Sequence, residues 1–366
     1  MSHKQDEQAA SNIRSGTLTR RKMLIGAGIA GFAAPIGIAH ALPRLGGNVP
    51  LFDESLICRA SSPGGATGPL KKLTFSWNAA AVCSVPLPVA VKHGIFAKHG
   101  LDVELVNFGG STDQLLEAIA TGKSDAGIGM ALRWLKPLEQ GFDVKITAGT
   151  HGGCLRLLVN SGSGIERLED LKGKAIASSD MASPDKNFFS ILLAKKGIDP
   201  VKDVEWRQYP GELLRAAIDK GEVQALTGSD PRAYLWLKDG KLKEISSNLI
   251  EQYAHRTCCI IGVRGSLLRS DRLATKALTA AILEATVYTV HNPDDAAKAF
   301  QEYAPNATID DLKAMVKYHT HHHNPVGDAL KKELALYTDE LKEVEVIKRG
   351  LDSSKFADRI YADVLS

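Results

Sequence analysis

The stretch Leu101-Asp102-Val103-Glu104-Leu105-Val106-Asn107-Phe108-Gly109-Gly110-Ser111-Thr112 carries the first decision about this chain. From 101 to 106 apolar and polar residues alternate with the two-residue period of a strand, and a glycine-hydroxyl turn stops it at once. Leu115, Leu116, Ile119 and Ala120 then form a helical stripe that ends at Gly122. Upstream, Leu73 to Trp77 reads as a strand. Pro86 suits the first turn of a helix whose buried side would be Val89, Ala90, Ile95 and Phe96, loosened and ended by Gly94 and Gly100. Downstream, Ala126 to Met130 is a further short strand. Strands joined by helices in this order predict an α/β lobe with a mainly parallel sheet.

With 366 residues, 44% of them hydrophobic and 24% charged, the chain is long enough for two such lobes. Its formal net charge of +3, from Lys+Arg 45 against Asp+Glu 42, supplies no basic field for a phosphate backbone, so no nucleic-acid partner is expected. The five cysteines, Cys58, Cys83, Cys154, Cys258 and Cys259, are odd in number and show no C-x-x-C spacing, so neither a disulfide framework nor a zinc knuckle is written in them.

The N-terminus carries an address. Thr19-Arg20-Arg21-Lys22-Met23-Leu24 leads into a weakly apolar, glycine-rich run from Leu24 to Ala41, and Ala39-His40-Ala41 offers an A-x-A cleavage site. This resembles a twin-arginine export signal over 1–41 and predicts a periplasmic protein. Residues 42–70 are rich in Gly, Pro and Ser and read as a flexible linker. Cys58 follows Ile57 rather than a small residue, which argues against a lipid anchor.

The run Pro86…Ala90…His93-Gly94-Ile95-Phe96…His99-Gly100-Leu101-Asp102-Val103, then Gly109-Gly110-Ser111, then Ala118…Gly122…Asp125, resembles the nitrate/sulfonate/taurine group of periplasmic binding proteins. Leu168-Glu169-Asp170-Leu171-Lys172-Gly173-Lys174 and Ala216…Gly221-Glu222-Val223-Gln224-Ala225 continue the likeness, which spans roughly residues 71 to 300. The resemblance implies a type II-like periplasmic binding protein fold: two α/β lobes, a cleft between them, and two hinge crossings at His151 to Val159 and Thr257 to Val263. Residues 71–153 and 259–366 would form lobe 1 with the C-terminal helices, and 154–258 lobe 2. It further implies a protein without catalytic residues or cofactor that captures a small-molecule solute and hands it to the permease of an ABC transporter, touching the membrane only through that permease.

Open α/β sheets bind ligands beyond the carboxyl ends of their strands, where loops meet helix N-termini. On that basis the candidate ligand-binding residues are Trp77, Asn78, Gly110, Ser111, Thr112 and Met130 on lobe 1, Ser179, Ser183, Ser229 and Asp230 on lobe 2, and His151 at a crossing. Arg133, Arg156, Arg232 and Arg256 lie near these loops or crossings and could grip an oxyanion. Two features depart from a plain binding protein. His151 and Cys154 lie at one crossing and Cys258-Cys259 at the other, which leaves open a metal-binding protein or an exported enzyme on the same fold, one shared with thiamin-pyrimidine synthases. Core packing is the expected role of the cysteine pair, because neighbours on a strand face opposite ways and at most one would see the cleft. His319-Thr320-His321-His322-His323 is a dense histidine run; the likeness places it away from the cleft, and a solvated patch is expected there.

Overall fold

A computed structural model describes residues 68–108 and 112–366. The expected signal, most of the linker, and Gly110 and Ser111 fall outside the described residues. Ten strands form two five-stranded sheets. β1 (Lys71–Trp77), β2 (Leu101–Asn107), β3 (Ala126–Met130) and β4 (Val144–His151) precede the first crossing, and β5 (Leu155–Asn160), β6 (Ala175–Ser178), β7 (Glu205–Gln208), β8 (Ala225–Ser229) and β9 (Leu242–Ser247) follow it. β10 (Cys259–Arg264) follows the second crossing and returns to the first sheet. The orders are β2-β1-β3-β10-β4 and β7-β6-β8-β5-β9.

The alternation in 101–107 forms the strand it predicts, paired in parallel with β1 from Lys71↔Leu101 to Trp77↔Asn107. The helix expected from Pro86 is two short ones, Pro86–Lys92 and Ile95–Lys98, because Gly94 at φ 63° turns the chain between them. Each sheet is mixed: four of its five strands run the same way, as the mainly parallel reading expects, and one is reversed. β10 runs antiparallel to both its neighbours, and β5 does the same in the second sheet. In both cases the reversed strand is the one entered directly from a crossing, since a chain arriving from the other lobe enters at the end where its neighbours finish.

Trp134, on the helix Ala131–Glu139, shows how closely that helix lies on the first sheet. A Cβ at Gly129 of β3 would sit 2.2 Å from its indole, and one at Gly262 of β10 would sit 2.6 Å from it. Only glycine lets the ring lie flat across both strands.

The two crossings run side by side. Cys258 N–H donates to the His151 carbonyl at 2.6 Å, and Cys259 pairs with His151 in the ladder. Cys154 has a φ of 149°, a strained value for a non-glycine residue. Its backbone is held from both sides: Asn248 Oδ1 accepts its N–H at 3.0 Å, and its carbonyl accepts the Asp230 N–H at 3.0 Å.

The C-terminal part touches both lobes. Helix Gly327–Glu343 packs on both Ala131–Glu139 of the first lobe and Pro184–Lys195 of the second. The segment before it zips along the first crossing: Thr320 N–H donates to the Gly152 carbonyl, Gly152 N–H to Thr320 Oγ1, and Asn324 Nδ2 to the Thr150 carbonyl. The histidine run is therefore not a solvated patch. His319 and His321 are buried and only His322 is exposed. The spacing hid this because the strand-like hydrogen bonds that draw the segment inward come from residues some 170 positions away.

His319 takes part in a buried charge group. Arg156 forms a two-pronged pair with Asp230, Nε to Oδ1 at 2.7 Å and Nη2 to Oδ2 at 2.8 Å, and also meets Glu244. His319 Nε2 lies 2.9 Å from Asp230 Oδ2. Burial alone would raise the Asp230 pKa, but hydrogen bonds from His319 and Arg156 outweigh it and hold the carboxyl below its ordinary value. Its contribution to stability is thus complete at neutral pH and is lost as pH falls through that lowered value.

Two substitutions test this framework by denaturant unfolding. Gly129→Ala forces Trp134 off the sheet and should cost about 1–3 kcal/mol. Asp230→Asn strips Arg156 of its main partner and should cost about 3 kcal/mol, the lower end for a broken buried pair because Glu244 remains. Unchanged stability in either variant would refute the corresponding contact.

Candidate functional site

A cavity of about 170 Å³ opens between the lobes, at the carboxyl ends of β1, β3, β6 and β8. Asn78, Ala80, Ala81 and Met130 line it from the first sheet's side. Ser179, Asp180, Ser183, Asp185, Ser229 and Arg232 are among those lining it from the second. The chain reaches it through loops because each strand ends there and must turn. Asn78 begins the turn after β1, its Oδ1 accepting the Ala80 N–H. Ser183 caps helix Pro184–Lys195, accepting the Lys186 N–H at 3.3 Å while its hydroxyl meets Ser178 Oγ at 2.8 Å. Asp185 is engaged by the Thr227 hydroxyl at 2.6 Å.

The structure brings together five of the residues singled out in the sequence: Asn78, Met130, Ser179, Ser183 and Ser229. It places three others elsewhere. Trp77 is core, packed edge-on against Tyr303 at 4.9 Å, because it shares the inward face of β1 with Phe75. Asp230 is buried and both its oxygens serve Arg156, so strand-end position alone misassigned it. His151 is fully buried in a separate cluster. Gly110 and Ser111 lie outside the described residues, as does the Thr112 side chain.

The arginines separate just as clearly. Arg156 is committed to Asp230 and Glu244, and Arg256 to Glu340 at 2.7 Å. Arg133 reaches across the cleft to Asp180 at 3.0 Å, an ion pair between the lobes. Arg232 lines the cavity, and among the described residues its guanidinium has no hydrogen-bond or ion-pair partner. No local signal in the sequence distinguishes it from the other three, since what separates them is the presence of a distant carboxylate.

Deeper in, Met130 and Leu155 line both this cavity and a small void of about 10 Å³ that reaches Cys258. Beyond that void lies a dry cluster. Cys154 and Cys258 sulfurs are 3.8 Å apart, Cys259 and Cys83 sulfurs 3.7 Å. The ring centroid of His151 is 5.1 Å from that of His321 and 5.8 Å from that of His319. Hydrogen bonds from Cys154 and Cys259 draw the Cys83 thiol well below the usual range, and Cys154 does the same for Cys258; the donors Cys154 and Cys259 are pushed up. Burial keeps His321 neutral, well below its ordinary value. Of the vicinal pair only Cys258 reaches that void and neither lines the cavity, so the expectation that at most one sees the cleft stands; both sulfurs nevertheless belong to the cluster, Cys258 against Cys154 and Cys259 against Cys83. Cys83, from the turn Val82–Ser84, joins them although nothing in its local sequence distinguishes it.

Two comparisons with known proteins bear on this arrangement. Among solved structures, the aliphatic sulphonate binding protein SsuA of Escherichia coli superposes with a TM-score of 0.68 at 17% identity, covering 80% of this chain and 92% of its own. The nitrate-binding protein NrtA of Synechocystis PCC 6803 gives 0.67 at 14%, covering 81% and 87%. The alkanesulfonate-binding protein SsuA of Xanthomonas axonopodis pv. citri, bound to MOPS, gives 0.67 at 18%, covering 79% and 99%. No curated protein matches by sequence. A family described as NMT1/THI5 like matches residues 83–296, more than half the chain. The fold is that of periplasmic binding proteins, and the match over more than half its length shows that this chain belongs to the NMT1/THI5-like family.

Proposed function

We propose that this chain is an extracytoplasmic solute-binding protein that captures a small organic or oxyanionic molecule between its lobes and delivers it to the permease of an ABC importer. The observation that carries the reading is the cavity itself: residues of both lobes line it, and the Arg232 guanidinium, without a hydrogen-bond or ion-pair partner among the described residues, shares its lining with Asn78, Ser179, Ser183 and Ser229. The two carboxylates in the lining are already engaged, Asp180 by Arg133 and Asp185 by the Thr227 hydroxyl, so a planar, permanently charged donor fork beside hydroxyl and amide groups favours sulfonate, carboxylate or another oxyanion. At about 170 Å³ the space is smaller than the roughly 300–1,000 Å³ of drug-sized sites, which favours a small solute. The sulfonate and nitrate specificities named for the structural relatives agree with that chemistry.

Nothing in the proposal needs a chemical step. The solute binds at Arg232, bridges the lobes, and stabilises the closed state already tied by Arg133 and Asp180. The twin-arginine signal at 1–41 would export the chain to the periplasm, with the membrane reached only through the transporter.

A thermal-shift screen across sulfonates, short carboxylates and nitrate should find a compound that raises the melting temperature in a concentration-dependent way. Arg232→Gln should weaken that compound's binding about tenfold or more by calorimetry, the loss of one charge-assisted contact, while leaving unliganded stability nearly unchanged. A silent screen, or full affinity in Arg232→Gln, would remove the basis for anion capture. Asp180→Asn should weaken the same ligand only a few-fold, because its carboxylate is half exposed and screened. A larger loss would mean that Asp180 touches the solute.

A further inference from the structure

Solute capture uses only the cavity and leaves the buried cluster behind it without a role. Cys83 Sγ, a ring nitrogen of His151 and Cys259 Sγ all lie within 4.8 Å of one another. They come from three separate pieces of chain: the turn after β1, the end of β4 and the start of β10. None is more than 3% exposed. His151 Nδ1 sits 3.0 Å from the Gly152 carbonyl oxygen, which places the proton on Nδ1 and leaves the Nε2 lone pair free. Nε2 is buried and, among the described residues, has no partner within hydrogen-bond distance.

Packing alone does not account for this. A buried, unsatisfied ring nitrogen costs about 1–3 kcal/mol, and the Cys259-to-Cys83 contact does not satisfy it. An imidazole with Nδ1 held by a backbone carbonyl and Nε2 unsatisfied, in a ring that has one nitrogen within 4.8 Å of two sulfurs, is held as metal-binding histidines are.

We propose that Cys83, His151 and Cys259 together bind one divalent metal ion of the zinc class. Two thiolates and an imidazole select against hard, oxygen-seeking ions. Charge narrows the choice further. Two thiolates balance a dication and leave a neutral site, which suits a dry interior, whereas a monovalent ion would leave a net negative charge buried without compensation. Binding releases the two thiol protons to solvent. His321 is the next donor, 1% exposed, with both ring nitrogens unpartnered and its centroid 5.1 Å from that of His151. Three protein ligands and a fourth of this kind complete a closed tetrahedral set, that of a structural ion rather than a catalytic one. The ion braces the junction. It joins the β1 turn to both crossings, and none of its three ligands lines the solute cavity.

The full chain, expressed without a histidine tag, should carry close to one zinc per molecule by plasma mass spectrometry after exhaustive dialysis. Cys83→Ala and Cys259→Ala should each lower this to below about a tenth, while His322→Ala, on the exposed part of the histidine run, should leave it intact. Cobalt substitution of the unmutated protein should produce thiolate-to-metal charge transfer and tetrahedral d–d bands, a readout that does not depend on the variants folding. The proposal is overturned if the protein neither carries zinc nor gains melting temperature when refolded with it. It is equally overturned if metal survives Cys83→Ala and Cys259→Ala but is lost from His322→Ala, if cobalt binds without a thiolate band, or if peptide mapping finds Cys83 and Cys259 joined as a disulfide. Because none of these measurements involves a solute, their failure leaves the solute-capture reading untouched, and the reverse also holds.

Discussion

Holding two extended crossings against each other is the constraint on which the rest of this molecule depends, and the 2.6 Å hydrogen bond from Cys258 N–H to the His151 carbonyl is its centre. A chain that leaves one lobe and later returns brings backbone donors and acceptors into a region with no water to satisfy them, so each must find a protein partner. The crossings satisfy one another here, and the remaining groups are taken by Asn248, Thr320 and Asn324. The same accounting explains the reversed strand in each sheet. It also explains why the C-terminal segment, far away in sequence, is drawn into the interior.

Around this junction the polar chemistry divides by access to solvent. On the open side, hydroxyls, an amide, two engaged carboxylates (Asp180 and Asp185) and the Arg232 guanidinium, without a partner among the described residues, surround a cavity lined by both lobes. On the closed side, charges are paired to completion: Arg156 with Asp230 and Glu244, Arg256 with Glu340. The contrast follows from desolvation, since a buried charge is tolerated only with its partner, whereas a charge at a cleft can wait for a ligand. The sulfur and imidazole cluster on the closed side is buried and yet incompletely satisfied.

The junction also explains why glycines gather where they do. Gly129 and Gly262 on adjacent strands make room for Trp134, which fixes the helix after β3 and with it Arg133, the first lobe's half of the ion pair to Asp180. A packing contact inside one lobe thereby sets the position of a charge that reaches into the other.

The sequence by itself determined the α/β alternation, the position of most strands and the loops at their ends, because hydrophobic period and turn chemistry are local properties. That was enough to single out Asn78, Met130, Ser179 and Ser229, each at or directly after the end of a strand, and Ser183, the helix cap that follows β6, all of which line the cavity. Only tertiary structure decided which of four similar arginines stays unpaired, that Asp230 is spent on Arg156, that Trp77 faces the core, and that Cys83, His151, Cys259 and His321 meet. These are facts about partners scores of positions or more away. Local pattern states where a residue sits along its own element, but whether its charge, lone pair or thiol is already satisfied depends on what the fold brings opposite it.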